Sequence, residues 1–200
     1  IPRTLYAEGE PVHDTLARRR PLLDFLGVRY IVSGYDLSSG FLKVFDGAIS
    51  TKKIPIGIYE NRTARPMVYF APSVHFLDAR EEEIFASYRD SNFFGWNVGC
   101  RDSCVAGEKT YGLGAIETVE ESNGRVRLKV SLKKEGFLVI SQNNLPGWQA
   151  FIDGREAERH TVNTVFIGLE IPPGNHEVLL DYRNPCGTVS GFIACLGKNE

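Results

Sequence analysis

Residues 125–132 read RVRLKVSL. Apolar and polar side chains alternate without a break, with Val126, Leu128, Val130 and Leu132 on one side and Arg125, Arg127, Lys129 and Ser131 on the other. Successive side chains of a strand point to opposite faces. The stretch is therefore a strand with one buried face and one wet face, as in an antiparallel sheet. GFLVIS (136–141) is apolar throughout and reads as a more central strand. WQAFIDGREAER (148–159) reads as a hairpin, with Asp153-Gly154 as its two-residue turn. In it Trp148, Ala150 and Ile152 share one face, and Gln149 and Phe151 the other. TVFIGLEI (164–171) and HEVLLDY (176–182) flank the turn Pro172-Pro173-Gly174-Asn175. Short strands at this spacing predict an antiparallel, jelly-roll-like β-sandwich.

The N-terminal half mixes periods. In RRRPLLDFLGVRYIVSG (18–34), Pro21 suits a first helical turn and Gly27 suits the position after a helix end. Leu22, Leu23, Phe25 and Leu26 form the apolar face between them. Alternation from Val28 onward predicts a strand. FLKVFDG (41–47) and IPIGIYEN (54–61) read as two more strands, with Asp46-Gly47 as a turn signal. RPMVYFAPSVHFLD (65–78) is extended, and Pro66 and Pro72 limit its pairing. DAREEEIFASYRD (78–90) reads as a helix capped by Asp78 with Glu81 at the capping-box spacing. Residues 91–114 read as a long loop or junction. The expected fold class is α+β, mainly β. The expected division is an α+β part over 1–112, a β-sandwich over 113–186 and an apolar tail over 187–200.

Composition narrows the function. Hydrophobic residues make up 42 % of the chain, enough for a sizeable core. The net charge is −2 and Arg18-Arg19-Arg20 is the one basic cluster, which gives nucleic-acid binding no electrostatic support. No apolar run reaches the length of about 18 residues that a membrane helix needs. VSGFIACLG (189–197) is apolar and short. It reads either as an ordinary terminal element or as the root of a membrane helix. The chain opens Ile-Pro-Arg and its methionine is Met67, so a piece of a longer protein is expected. The even cysteine count permits two disulfides, and the spacing suggests Cys100–Cys104 and Cys186–Cys195. Free thiols and a metal site are the alternatives.

No nucleophile elbow, phosphate loop, zinc-protease helix or dinucleotide fingerprint occurs. His13, His75, His160 and His176 are isolated in sequence. The acidic run Glu81-Glu82-Glu83 is accounted for by the first turn of a helix. Catalytic, cofactor and metal residues are therefore not assigned, and no cofactor is expected. Aromatics are more suggestive. SNFFGWN (91–97) puts Phe93, Phe94 and Trp96 in a polar loop, and Trp148 follows Pro146-Gly147. These four are the candidate contacts for a glycan or a partner. The competing reading makes them core plugs, and for Trp148 the apolar face it shares favours the core. Asn61-Arg62-Thr63 matches a glycosylation sequon.

The ordered set LLDFLGVRYIVS, IYENRTARPMVYF, GFLVISQNNLPGWQAFIDGRE and IPPGNHEVLLDYR, followed by an apolar tail, resembles the C-terminal soluble region of YfhO-type bacterial membrane proteins. The resemblance lies in residues 22–33, 58–70, 136–154 and 171–183. Residues 91–114, with Cys100 and Cys104, stand outside it. That family often carries aromatics before Pro-Gly-Trp, where this chain has Asn143-Asn144-Leu145. The resemblance implies a multi-spanning parent related to glycosyltransferases that use lipid-linked sugars. The catalytic acidic residues of such enzymes sit in loops between membrane helices, outside this chain. It implies a non-catalytic accessory domain, extracytoplasmic and membrane-tethered. Its partners would be the membrane portion of the parent and cell-envelope glycan, with a role in glycan modification. The alternative is a free-standing carbohydrate-binding or adhesion-type β-sandwich. A secreted hydrolase with a carboxylate pair in one cleft is the third reading.

Overall fold

The computed structural model describes residues 12–49, 53–78, 95–99 and 105–184. The chain forms two compact units that divide at Met67–Val68. Phe93, Phe94, the four cysteines with their expected pairings, residues 79–90 of the expected helix and the apolar tail 187–200 lie outside the described residues.

The first unit carries helices α1 (Val12–Arg18) and α2 (Arg20–Phe25) and strands β1 (Tyr30–Ser33), β2 (Leu42–Ile49) and β3 (Ile54–Glu60). Pro21 sits in the first turn of α2, as its sequence predicts. Gly27 adopts φ 68° just past the helix end, donating to the Asp24 carbonyl while Val28 donates to that of Leu23. This paired closure ends the helix and turns the chain into β1. The strands form an antiparallel sheet in the order β1-β3-β2. One sheet face packs Ile31 and Tyr59 with Leu37, Phe41, Leu16 and Leu23.

Asp46-Gly47 does not make the expected turn. It lies inside β2, paired with Gly57 and Ile56, and the pairing runs on to Ile49 and Ile54. Cross-strand partners beyond the dipeptide hold it extended.

Asn61 follows β3 and is only 1 % exposed. Its amide donates to the Asp24 carboxylate at 2.7 Å and to the Val28 carbonyl at 3.0 Å. Thr63 donates to the same Asp24 oxygen at 2.8 Å. The sequon is thus a clasp between β3 and the end of α2, and its nitrogen is closed to glycan attachment in the fold. Asn61→Ala leaves the half-buried Asp24 carboxylate short of a donor. It is expected to cost about 2 kcal/mol of stability, from the usual worth of a hydrogen bond to a charged group. Urea titration of the variant checks this, and Asn61→Asp fares no better because it sets two carboxylates together.

The second unit is a β-sandwich. It comprises β4 (Val68–Ala71), β5 (Ser73–Leu77), β6 (Asn97–Gly99), β7 (Gly107–Thr110), β8 (Gly114–Ser122), β9 (Arg125–Leu132), β10 (Gly136–Asn143), β11 (Trp148–Ile152), β12 (Arg155–Ala157), β13 (His160–Val162), β14 (Phe166–Ile171) and β15 (Gly174–Tyr182). One sheet has the order β12-β11-β15-β9-β8 and the other β4-β10-β14-β13-β6-β5-β7. The alternating strand is β9, with Val126, Leu128, Val130 and Leu132 all buried. The uniformly apolar strand is β10, flanked on both sides by β4 and β14. Asp153 (φ 52°) and Gly154 (φ 77°) form the expected turn between β11 and β12. Both central residues have positive φ, as the favoured hairpin turn requires.

The expected loop over 91–114 contains strands β6 and β7. β6 pairs with β5 in parallel and β7 with β5 antiparallel. Their hydrogen bonds come from distant residues, so local alternation does not reveal them. The same reason moves the division of the chain. Strands β4 to β7 precede residue 112, yet they belong to the sheet that holds β10, β13 and β14.

Between the sheets lie Phe70, Leu138, Ile140, Ile167, Leu169 and Ile171 from one side. Leu128, Leu132, Trp148, Ala150, Val178 and Leu180 come from the other. The seven-stranded sheet is strongly curled. β4 and β5 are separated in the chain by Pro72 alone but stand near opposite ends of the strand order.

Candidate functional site

Curling gives the seven-stranded sheet a concave face turned away from the sandwich core. Register places Tyr69, Phe137, Val139, Gly168, Glu170, His160, Val98, Phe76 and Lys109 on that face. Phe137 is its centre. The ring lies 5.3 Å from Tyr111, 5.8 Å from His160 and 6.3 Å from Phe76, centroid to centroid.

One end of the face is ionic. Lys109 Nζ reaches Glu170 Oε1 at 2.8 Å and Glu135 Oε2 at 3.2 Å, and sits 4.7 Å from the centre of the Tyr111 ring. The Tyr111 hydroxyl donates to the same Glu170 oxygen. Burial pushes the Glu170 carboxyl up, but the hydrogen bonds from Lys109 and Tyr111 outweigh it and hold it below the ordinary carboxylate value. Burial and the Glu170 carboxylate together push the Tyr111 hydroxyl up. Desolvation works against the Lys109 ammonium, yet its bonds to Glu170 and Glu135 raise it above its ordinary value.

The two carboxylates thus lie within one lysine's reach. A glycosidase acid must keep its proton near neutrality, with a raised carboxyl. Glu170 is shifted the opposite way and takes both donors on one oxygen. The cluster is an ion-paired latch that ties Lys109 on β7 to Glu170 on β14 and to Glu135 just before β10.

The other aromatic group is Trp96 with Tyr69. The indole Nε1–H donates to the Tyr69 hydroxyl at 3.2 Å, and the rings are tilted at 54° with centroids 6.2 Å apart. Both rings are half-buried. Trp148 is not brought near them. It is 6 % exposed, in the core between the sheets, against Tyr182 at 5.2 Å.

Two polar pairs escaped the sequence. Asn163 (φ 53°) turns back from β13 so that its Oδ1 accepts from the Asn97 backbone N–H at 2.8 Å, while its own N–H donates to the Asn97 carbonyl. This extends the β13–β6 pairing beyond Val162 and Val98. His176 Nδ1 meets Asp153 Oδ2 at 2.7 Å, and the other Asp153 oxygen accepts from the Glu177 N–H at 2.9 Å. The pair ties the β11–β12 turn to the start of β15. Among the described residues no group of three or more His, Cys, Asp or Glu side chains is placed to hold a metal ion.

The Asp153 bond raises His176, and the His176 and Glu177 bonds lower Asp153. A raised histidine adds stability that is complete below its unfolded value of about 6.5 and is lost as pH rises through the folded value. A lowered aspartate adds stability above about 3.9 that is lost as pH falls through its folded value. The clasp is therefore strongest between those limits. Wild-type unfolding midpoints are expected to decline from mildly acidic to alkaline pH. His176→Gln flattens that decline, which a urea series across pH 5 to 8.5 reads directly.

The geometry defines a β-sandwich module whose most distinctive polar residues hold strands together. Residues 113–194 match the family model of the bacterial membrane protein YfhO. The match covers β8 to β15; the strands that complete the curled sheet, β4 to β7, precede it. No curated protein and no solved structure matches the chain. Among the described residues no helix is long and apolar enough to cross a membrane.

Proposed function

We propose that the chain is the non-catalytic accessory region of a YfhO-type, glycosyltransferase-like membrane protein. It stands on the extracytoplasmic side and supports or gates the membrane portion during cell-envelope glycan modification. One observation carries the reading: the residues that make the resemblance are committed to architecture. Trp148 is in the core, Asp153 and His176 clasp one another, and Asn61 is buried against Asp24. The direction of the Glu170 shift supports it from the other side, because a carboxyl held below its ordinary value is a poor proton donor. Contact with envelope glycan is proposed at Trp96, the half-buried ring at the end of the curled sheet, and is weak for the chain alone.

Two measurements test this. The 200-residue chain, mixed with a lipid-linked sugar and an acceptor, is expected to transfer nothing; transfer by the chain itself overturns the accessory role. Val105, 91 % exposed, gives a labelling site. In the parent protein, Val105→Cys is expected to react with a membrane-impermeant maleimide in intact cells above the unsubstituted background. Reaction only after lysis overturns the extracytoplasmic placement.

A further inference from the structure

Among the described residues, the helices of the first unit cover one face of its sheet. On the other, register aligns Val32, Ile58 and Phe45 across the three strands, with Tyr30, Leu42, Ile56 and Ile54 beside them. Tyr30, Val32, Phe45 and Ile54 are 56, 63, 50 and 54 % exposed. An exposed cluster of this kind marks a contact surface rather than scattered surface residues.

Charge says what kind of surface it meets. Arg29 and Arg62 flank the face at the Glu60 end, and Lys53 stands at the Ile54 end. Glu60 is the acidic side chain among them and is shared by the two arginines, at 3.2 and 3.5 Å. Asp46 lies on the helix-packed face, with Lys43. The rim is thus net cationic around an aliphatic and tyrosine centre. Basic side chains around an apolar, aromatic surface suit an anionic bilayer, which takes the apolar groups at headgroup depth and the cations among phosphates.

We propose that this face of the β1-β3-β2 sheet docks on an anionic lipid surface. The proposal rests on the membrane-tethered reading, and it adds the lipid as a direct partner of this unit.

Vesicle co-sedimentation of the 200-residue chain is the test. Vesicles with about one-third phosphatidylglycerol are expected to bind the chain at least about tenfold more than phosphatidylcholine vesicles, with the difference shrinking in high salt. Val32→Asp/Phe45→Asp is expected to abolish binding with an unchanged far-UV spectrum. Lys53→Glu/Arg62→Glu, at the exposed rim, gives an independent loss should the first variant fold poorly. Equal binding to both vesicle types overturns the proposal, as does binding that neither variant weakens. A vesicle-free dimer that Val32→Asp/Phe45→Asp dissociates overturns it too, by assigning the face to a second copy. The maleimide experiment reads the extracytoplasmic placement separately, so labelling without vesicle binding rejects the docking face and leaves the accessory role standing.

Discussion

Trp148→Ala is expected to lower the unfolding free energy by about 3–5 kcal/mol, the cost typical of deleting a core aromatic. The indole opens β11 opposite Tyr182 on β15, and the two rings meet edge to face at 5.2 Å and 60°. The turn before it is fastened from two sides. Trp148 N–H closes on the Leu145 carbonyl, and Arg183 N–H donates to the Gly147 carbonyl at 2.8 Å. Alanine leaves a cavity that this fastened backbone cannot collapse to fill. With domain stabilities of about 5–15 kcal/mol, the loss is a large share of the total. Far-UV circular dichroism against urea is the suitable probe, since the substitution removes half of the chain's tryptophan signal. Trp148→Phe should keep most of the stability. A loss below about 1 kcal/mol for Trp148→Ala would place the ring outside the core and reopen its role as a sugar platform.

Strand identity was legible where the period was clean. Val126 to Leu132 alternate in sequence and in burial, and Asp153-Gly154 turns where the pattern on both sides demands it. Strand partnership was not legible. β9 passes to β10, β10 to β11, β12 to β13 and β14 to β15 by short links that each change sheets, and such links look like hairpin turns in sequence. The two Asp-Gly steps show the limit. One turns and the other runs straight, and only the register beyond each step separates them. The site residues were hidden by the same distance. His176 is 23 residues from Asp153 and Lys109 is 61 from Glu170, and each pair exists only once the sheets have formed. Asn61 was legible as a motif but with the wrong chemistry, because a sequon says nothing about burial.

Phe137→Ala is the second large loss, again expected at about 3–5 kcal/mol. Its ring is fully buried and packs against Phe76, Tyr111 and His160, from β5, from the end of β7 and from β13. It therefore joins strands that register alone leaves far apart in the curled sheet. The ring also crosses Gly168 on β14. A Cβ built there would stand 2.6 Å from the Phe137 ring and 2.5 Å from Val162. Gly168→Ala is thus expected to be destabilising by about 1–3 kcal/mol through overpacking. In the Phe137→Ala background one of its two collisions is gone, so the same substitution should cost less. A double-mutant cycle is expected to return a coupling of about 0.5–3 kcal/mol. Strict additivity would mean that the ring does not lie over Gly168, and that the curl of the sheet is held by something other than this aromatic centre.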